Sequence, residues 1–302
     1  MRVITVGSGK GGTGKSFVAA NVGLALAQRG IKTCVVDFDL GSADVHLILG
    51  HLQPASGVLD VLRGHAASLA DVMHPAPHCP NLFLVPGAGE TVRAAGLSTR
   101  EIEKLNGNVR ELPVEVAIVD LPGGVQHQVL DMFLAGDTQL LVTTPDPVAV
   151  TDAARFLRLA RVRRASRGPN GVTSDRRPRV YTSLDDLVRD MNAIRGGASP
   201  SGSAAGFNPA LILNRCRPDA LLGKGDLLAQ LRREAGDTEL PLRAEIPEDA
   251  AVDRSVRLLA PVIDLSPAAP ASRTIFDLAA WLAPAGATEG WAGTTEAETA
   301  LA

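Results

Sequence analysis

An α/β fold with a mostly parallel central sheet flanked by helices is predicted by three observations. Short apolar runs (TCVVD, NLFLVP, VEVAIVD and TQLLVTT) alternate with stretches of helical spacing, the pattern of parallel strands joined by crossover helices. A glycine-rich string, GKGGTGKS at Gly9 to Ser16, stands between the first strand-like and the first helix-like segment. The 302 residues, with no visible internal repeat, fit one large domain with a sizeable core.

Residues Arg2 to Val6 (RVITV) read as a short buried strand, and Phe17 to Arg29 carries helical apolar spacing that stops at Gly30, a natural C-cap. Between them the spacing Gly-x-x-x-x-Gly-Lys-Ser suits a phosphate-binding loop. Glycines allow positive φ and let successive backbone N–H groups converge on phosphate oxygens. The helix beyond the loop adds the partial positive charge of its N-terminus. In such a loop Lys15 supplies an ammonium to the β and γ phosphates and the Ser16 hydroxyl can ligate Mg²⁺. Gly11, Gly12 and Gly14 keep the backbone bare. A second lysine, Lys10, precedes the usual one, and these two are among only five lysines in the chain.

The second strand runs into Asp37-Phe38-Asp39-Leu40-Gly41-Ser42-Ala43-Asp44, placing carboxylates at the strand end, where ligands of open α/β sheets bind. Val114 to Val119, apolar apart from Glu115, ends at Asp120-Leu121-Pro122-Gly123-Gly124. An acidic residue at the tip of a hydrophobic strand is the Walker B arrangement, in which a carboxylate holds Mg²⁺ directly or through water. Later, Leu211-Ile212-Leu213 ends at Asn214, whose amide offers a donor and an acceptor, and Pro247-Glu248-Asp249 comes 33 residues on. His46 lacks a second metal-type ligand at helical or hairpin spacing and reads as packing or surface.

The string K-G-G-x-G-K-[ST] resembles the deviant Walker A motif of the ParA/MinD family, P-loop ATPases of the SIMIBI type. The likeness runs over about residues 1 to 282 and is nearest the MinD/FlhG-like group, through DFDLGSADVHLILG, LVPGAG, VTTPDPVAVTDAARFL and IPED. The resemblance implies that two subunits close face to face around two ATP molecules, and that Lys10 reaches the partner's nucleotide. It also implies that Asp39 orients or activates the attacking water, so the catalytic set is Lys10, Lys15 and Asp39. By the same likeness ATP or ADP is held by Gly11, Gly12, Thr13, Gly14, Lys15, Ser16 and Phe17, by the Gly124 amide, and at the adenine by Asn214 and the loop of Pro247. Ser16, Asp120 and Asp37 then form the Mg²⁺ surroundings. Asp44 stands where the family has asparagine, putting another carboxylate near the phosphates.

The expected activity is slow, partner-stimulated ATP hydrolysis by a homodimeric switch that sets positions in the bacterial cell, such as a division site, flagella, or a chromosome or other cargo. The alternative is a nucleotide-gated adaptor with little or no hydrolysis that regulates a partner protein. A metal-cluster carrier on the same loop would need paired cysteines, and Cys34, Cys79 and Cys216 are scattered. A net charge of −3 argues for neither nucleic acid nor anionic membrane as an obligatory partner. Arg155, Arg158, Arg161, Arg163, Arg164, Arg167, Arg176, Arg177 and Arg179 admit a DNA contact, with a solvated helix face and loop as the plainer reading.

The domain expectation is an ATPase unit over residues 1–283, with a flexible insertion at about 165–207 and a disordered acidic tail at 284–302. That tail lacks the basic amphipathic character of a membrane-binding helix. No apolar run approaches about 18 residues, the length of a membrane span, so a cytoplasmic protein is expected.

Overall fold

The computed structural model describes residues 1–77, 79–87, 97–166, 207–217, 224–235 and 240–284. The predicted helix SLDDLVRDMNAI, most of the insertion and nearly all of the tail lie outside them.

The chain begins β1 (Arg2–Gly7), α1 (Lys15–Gln28), β2 (Thr33–Asp37), α2 (Val45–Ile48) and α3 (Val58–Arg63). A 3₁₀ turn at Leu69–Val72 leads to β3 (His74–Pro75), β4 (Leu82–Val85), α4 (Thr99–Arg110), β5 (Val116–Asp120) and α5 (His127–Phe133). Then come β6 (Thr138–Thr143), α6 (Pro147–Ser166), β7 (Ala210–Cys216), α7 (Lys224–Glu234) and β8 (Leu242–Pro247). Helices α8 (Ala250–Arg257), α9 (Val262–Leu265) and α10 (Pro270–Leu282) finish the described chain.

The sheet order is β3-β4-β2-β5-β1-β6-β7-β8. Every pairing is parallel except that of β3 with β4. Side chains alternate across a pleated strand, and here both alternating sets are apolar. Val3, Val36, Val119 and Leu141 enter one core cluster, and Ile4, Val35, Ile118 and Leu140 the other. A sheet covered on both faces therefore explains why the strands read as continuous hydrophobic runs.

Helix α1 is buried along nearly its whole length, and it packs against α10 and β2. The turn after it closes as the sequence predicts: Gly30 has φ +83° and donates its N–H to Ala27 at 3.0 Å. On the other face, α4 is fixed by a capping box in which Glu101 N donates to Ser98 Oγ at 3.3 Å and Ser98 N to Glu101 Oε2 at 2.8 Å. Because β1 sits between β5 and β6, the glycine-rich loop leaving β1 emerges at the centre of the edge formed by the strand C-termini.

Candidate nucleotide site

The loop after β1 is held from three sides at glycines that leave no room for a Cβ, two facing backbone and one a side-chain amide. A Cβ on Gly9 would lie 2.2 Å from the carbonyl oxygen of Asp152 on α6. A Cβ on Gly123 would lie 2.7 Å from Gly11 N and 2.8 Å from the Lys10 carbonyl carbon. A Cβ on Gly14 would lie 2.1 Å from Asn214 Nδ2. The Gly123 contact means that the segment after β5 rests directly on the peptide joining Lys10 to Gly11. Gly124 continues it, with φ +117° and its N–H donated to the Ser8 carbonyl at 3.1 Å.

Within the loop Gly12 and Gly14 adopt φ +78° and +92°. The first turn of α1 carries no acidic residue, so nothing on the helix neutralises its N-terminus. Lys15 is only 6% exposed, whereas Lys10 and Ser16 are partly exposed. Neither lysine ammonium has a hydrogen-bond or ion-pair partner among the described residues. A buried cation with no carboxylate paired to it suits an anionic ligand.

Register brings the acidic residues together. Asp37 on β2 pairs with Asp120 on β5, and Asp120 is also aligned with Val6 on β1. Both carboxylates are 0% exposed. Burial raises the Asp37 pKa well above the usual range and the charge of Asp120 adds to it, against backbone N–H donation from Asp39 at 3.0 Å and Val45 at 3.3 Å. Burial likewise pushes Asp120 up to about 7, opposed by Ser16 and Lys15 and assisted by Asp39 and Asp44. Ser16 lies near enough to influence it, yet neither Asp120 oxygen has a partner in good hydrogen-bond geometry among the described residues. The Thr13 hydroxyl, at 1% exposure, also has no partner among the described residues.

Such orphaned buried oxygens fit a divalent cation at this place. Mg²⁺ is ordinarily bound by one or two protein carboxylates with waters and phosphate oxygens completing its shell. That requirement is consistent with the described residues offering no group of three or more His, Cys, Asp or Glu able to hold a metal.

Asp39 is half-buried, its pKa raised by burial against the pull of Lys15. Asp44 is exposed and accepts a 3.4 Å hydrogen bond from Ser42 Oγ. His46, partly buried beside Asp44 and His51, has no partner for Nδ1 among the described residues. Phe17, in the first turn of α1, is buried in the core, so its side chain belongs to packing.

On the β6 and β7 side a cavity of about 600 Å³ opens between Lys10, Gly12 and Thr13 and the strand-end residues Thr144–Pro147, Arg215, Arg217 and Glu248. Asp146 shapes its floor by capping α6, accepting from Val148 N at 2.7 Å. Arg217 pairs with Glu248, one of its two contacts being 2.6 Å. Asn214, 5% exposed, sits behind the loop and donates Nδ2 to the Thr13 carbonyl at 2.9 Å. Pro247 is aligned with Cys216 at the end of β8. Thr144–Pro147 lie in VTTPDPVAVTDAARFL, which the sequence offers as family likeness but without a site role, and Arg217 is marked only by coming just after a strand end.

A sequence model of the ParA family, described as an NUBPL iron-transfer P-loop NTPase, matches residues 1–166, more than half of the chain. The chain belongs to the ParA family.

Its ParA-family relatives include the septum site-determining protein MinD of Neisseria meningitidis serogroup B, 32% identical over 159 residues, or 52% of this chain and 58% of that protein. The alignment thus spans little more than half the length of that relative. MinD of Buchnera aphidicola subsp. Schizaphis graminum is 26% identical over 255 residues, covering 84% of this chain and 81% of the relative. Among solved structures, the Pyrococcus furiosus cell division ATPase MinD superposes with a TM-score of 0.64 at 25% identity, covering 93% of this chain and 98% of that one. A MinC:MinD complex from Aquifex aeolicus, at 23% identity and a TM-score of 0.64 over 93% of this chain and 96% of that one, shares the fold.

Within this family frame the cysteines stay apart in sequence, with Cys34 and Cys79 buried and Cys216 partly so. Among the described residues no helix is long and apolar enough to cross a membrane.

Proposed function

We propose that the chain is a Mg²⁺-dependent ATPase switch that closes into a homodimer on ATP, hydrolyses it slowly under the stimulus of a partner protein, and acts in spatial positioning in the cell. The observation that carries this reading is Lys10. Its backbone is clamped by Gly123 on one side and adjoins the α6 contact of Gly9 on the other, while its ammonium, at the rim of the cavity, has no partner among the described residues. A fixed backbone with an unpaired, partly exposed cation suits a group that acts on a nucleotide outside its own loop.

In this reading the bare α1 N-terminus and Lys15 bind the phosphates of ATP. Asp39, half-buried and within the field of Lys15, orients the attacking water, and Gly124 offers its N–H to the γ phosphate on leaving Ser8. Ser16, Asp120 and Asp37 would hold Mg²⁺, which when bound neutralises charge on the phosphate oxygens. The adenine lies toward the ends of β7 and β8, where Arg215 and Glu248, the sequence neighbours of Asn214 and Pro247, line the cavity. The MinD relatives support a positioning role of the same general kind, with the cargo set by surfaces outside the site.

The test is Lys10→Ala. ATP-dependent dimers, measured by light scattering, or hydrolysis are lost while ATP binding stays largely intact. Unchanged dimerisation and turnover would remove the central claim.

A second reading, the nucleotide-gated adaptor, is favoured by Asp44. Its charge lies close enough to raise the pKa of both Asp39 and Asp120, and added negative charge repels the γ phosphate that the water must attack. ATP turnover measured with and without DNA, lipid vesicles and candidate partners separates the two readings.

A further inference from the structure

We propose that Asn214 is a positioning residue for the phosphate loop, tying the base end of the nucleotide pocket to the phosphate end, in addition to any contact it makes with adenine. The proposal rests on the reading of Gly9–Ser16 as a phosphate site.

Three contacts point to this role. Asn214 Nδ2 donates to the Thr13 carbonyl at 2.9 Å across 201 residues of sequence, and the bond is buried. Gly14, at φ +92°, gives the amide its room, since a Cβ there would lie 2.1 Å from Nδ2. On the other side Asn214 Oδ1 accepts from Arg215 N at 3.0 Å, and Arg215 holds φ +55°, in the left-handed region that a bulky residue rarely adopts. One side chain therefore fixes both the loop and the exit of β7, from which Arg215 and Arg217 reach the cavity.

The consequence for phosphate binding comes from peptide geometry. In a trans peptide the carbonyl of Thr13 and the N–H of Gly14 point in opposite directions. Holding the Thr13 carbonyl on Asn214 therefore aims the Gly14 N–H away from β7. A loop whose N–H groups are pre-aimed binds an anion without a further ordering cost. Without the clamp the Thr13–Gly14 peptide, set between Gly12 and Gly14 at positive φ, is free to rotate.

The experiment separates clamping from base recognition by using a ligand that has no base. Calorimetric affinities for inorganic tripolyphosphate and for ATP, each with Mg²⁺, are measured on the full chain and on Asn214→Leu, which keeps the approximate shape and loses the donor without adding charge, and Asn214→Ala. Removal of a buried hydrogen bond to a carbonyl predicts a loss of about tenfold in tripolyphosphate affinity for both variants, and at least as large a loss for ATP. Gly14→Ala, which intrudes on the same amide from the loop side, gives the same loss.

Wild-type tripolyphosphate affinity in the Asn214 variants overturns the proposal. If ATP alone weakens, Asn214 reads only the base; if only the thermal midpoint falls, its role is structural. A wild-type chain that binds neither ligand overturns the phosphate-site reading itself, which is a separate failure.

Discussion

Asp37 and Asp120 are register partners at the ends of adjacent parallel strands, and both are wholly buried. Burial is the main cause of the shift at both: it pushes Asp120 up to about 7 and raises Asp37 in the same direction, and the charge of Asp120 adds to the rise of Asp37. Between the unfolded carboxylate value of about 4 and about 7, the folded pair binds more protons than the unfolded chain, so its contribution to stability falls as pH rises through that window. The metal-free chain is expected to lose up to about 1.4 kcal/mol per pH unit per group there, and Asp120→Asn to flatten the slope. Chemical denaturation in EDTA from pH 5 to pH 8 measures it.

The same pair predicts the pH dependence of metal binding. A divalent cation requires the ionised form and protons compete for it. The gain in ADP affinity on adding Mg²⁺ therefore grows as pH rises through about 7, the value to which Asp120 is pushed. Calorimetry of ADP with Mg²⁺ and with EDTA, at pH 6 and at pH 8, gives the two gains. Asp120→Asn, which leaves Asp37 as the only carboxyl of the pair, is expected to show a smaller gain that depends less on pH.

Gly123 offers a steric test of how the post-β5 segment supports the phosphate loop. A methyl group there meets Gly11 N at 2.7 Å and Lys10 backbone atoms at 2.8 and 2.9 Å, so backbone must move. Overpacking of this kind costs about 1–3 kcal/mol. Gly123→Ala is expected to lower ATP affinity about tenfold or more while leaving the far-ultraviolet circular dichroism unchanged. Gly225→Ala, where a Cβ meets nothing within 4 Å among the described residues, is the control and is expected to bind ATP as the wild type does.

Arg163 shows that the arginine-rich helix is not uniformly a solvated face. Its guanidinium makes two hydrogen bonds, 2.8 and 2.9 Å, to Asp131 on α5, and the Asp131 side chain is only 5% exposed. Asp131→Ala would leave the cation half-buried beside an emptied site, and breaking a buried pair on one side costs about 3 kcal/mol. The thermal midpoint is expected to fall by several degrees, with no change in the salt dependence of any DNA binding. A steeper or shallower salt slope would instead place Arg163 against phosphates.

Strand ends and glycine spacing made the phosphate loop, Asp37 and Asp120 readable, because each depends on residues adjacent in sequence. The doubly covered sheet is legible in the same way, from its apolar runs. What could not be read are contacts made through space. Gly123 meets Lys10 only once β5 and β1 are paired, and Asn214 reaches Thr13 only because β7 and β1 flank β6. A strand-end asparagine carries no local mark that separates a loop brace from a base reader. Arg163 has the same character: its neighbours Arg161 and Arg164 give no hint that it turns toward Asp131 with two matched bonds.

Asp44 poses the sharpest question about turnover, because asparagine occupies its place in the resembling family. It is exposed, lies at the start of α2, and nevertheless raises the pKa of both Asp39 and Asp120. A carboxylate there disfavours ionised Asp39 and repels the γ phosphate, so both the water-orienting group and the substrate lose stabilisation. Asp44→Asn removes the charge and preserves the size. Steady-state ATP hydrolysis at pH 7 is expected to rise about three- to tenfold, consistent with removal of one screened unit charge at a surface position. The gain shrinks at high salt, where an exposed charge is screened, and persists if Asp44 acts only through packing at the start of α2. Turnover that stays at background in Asp44→Asn, with ATP still bound, would shift the weight to the adaptor reading.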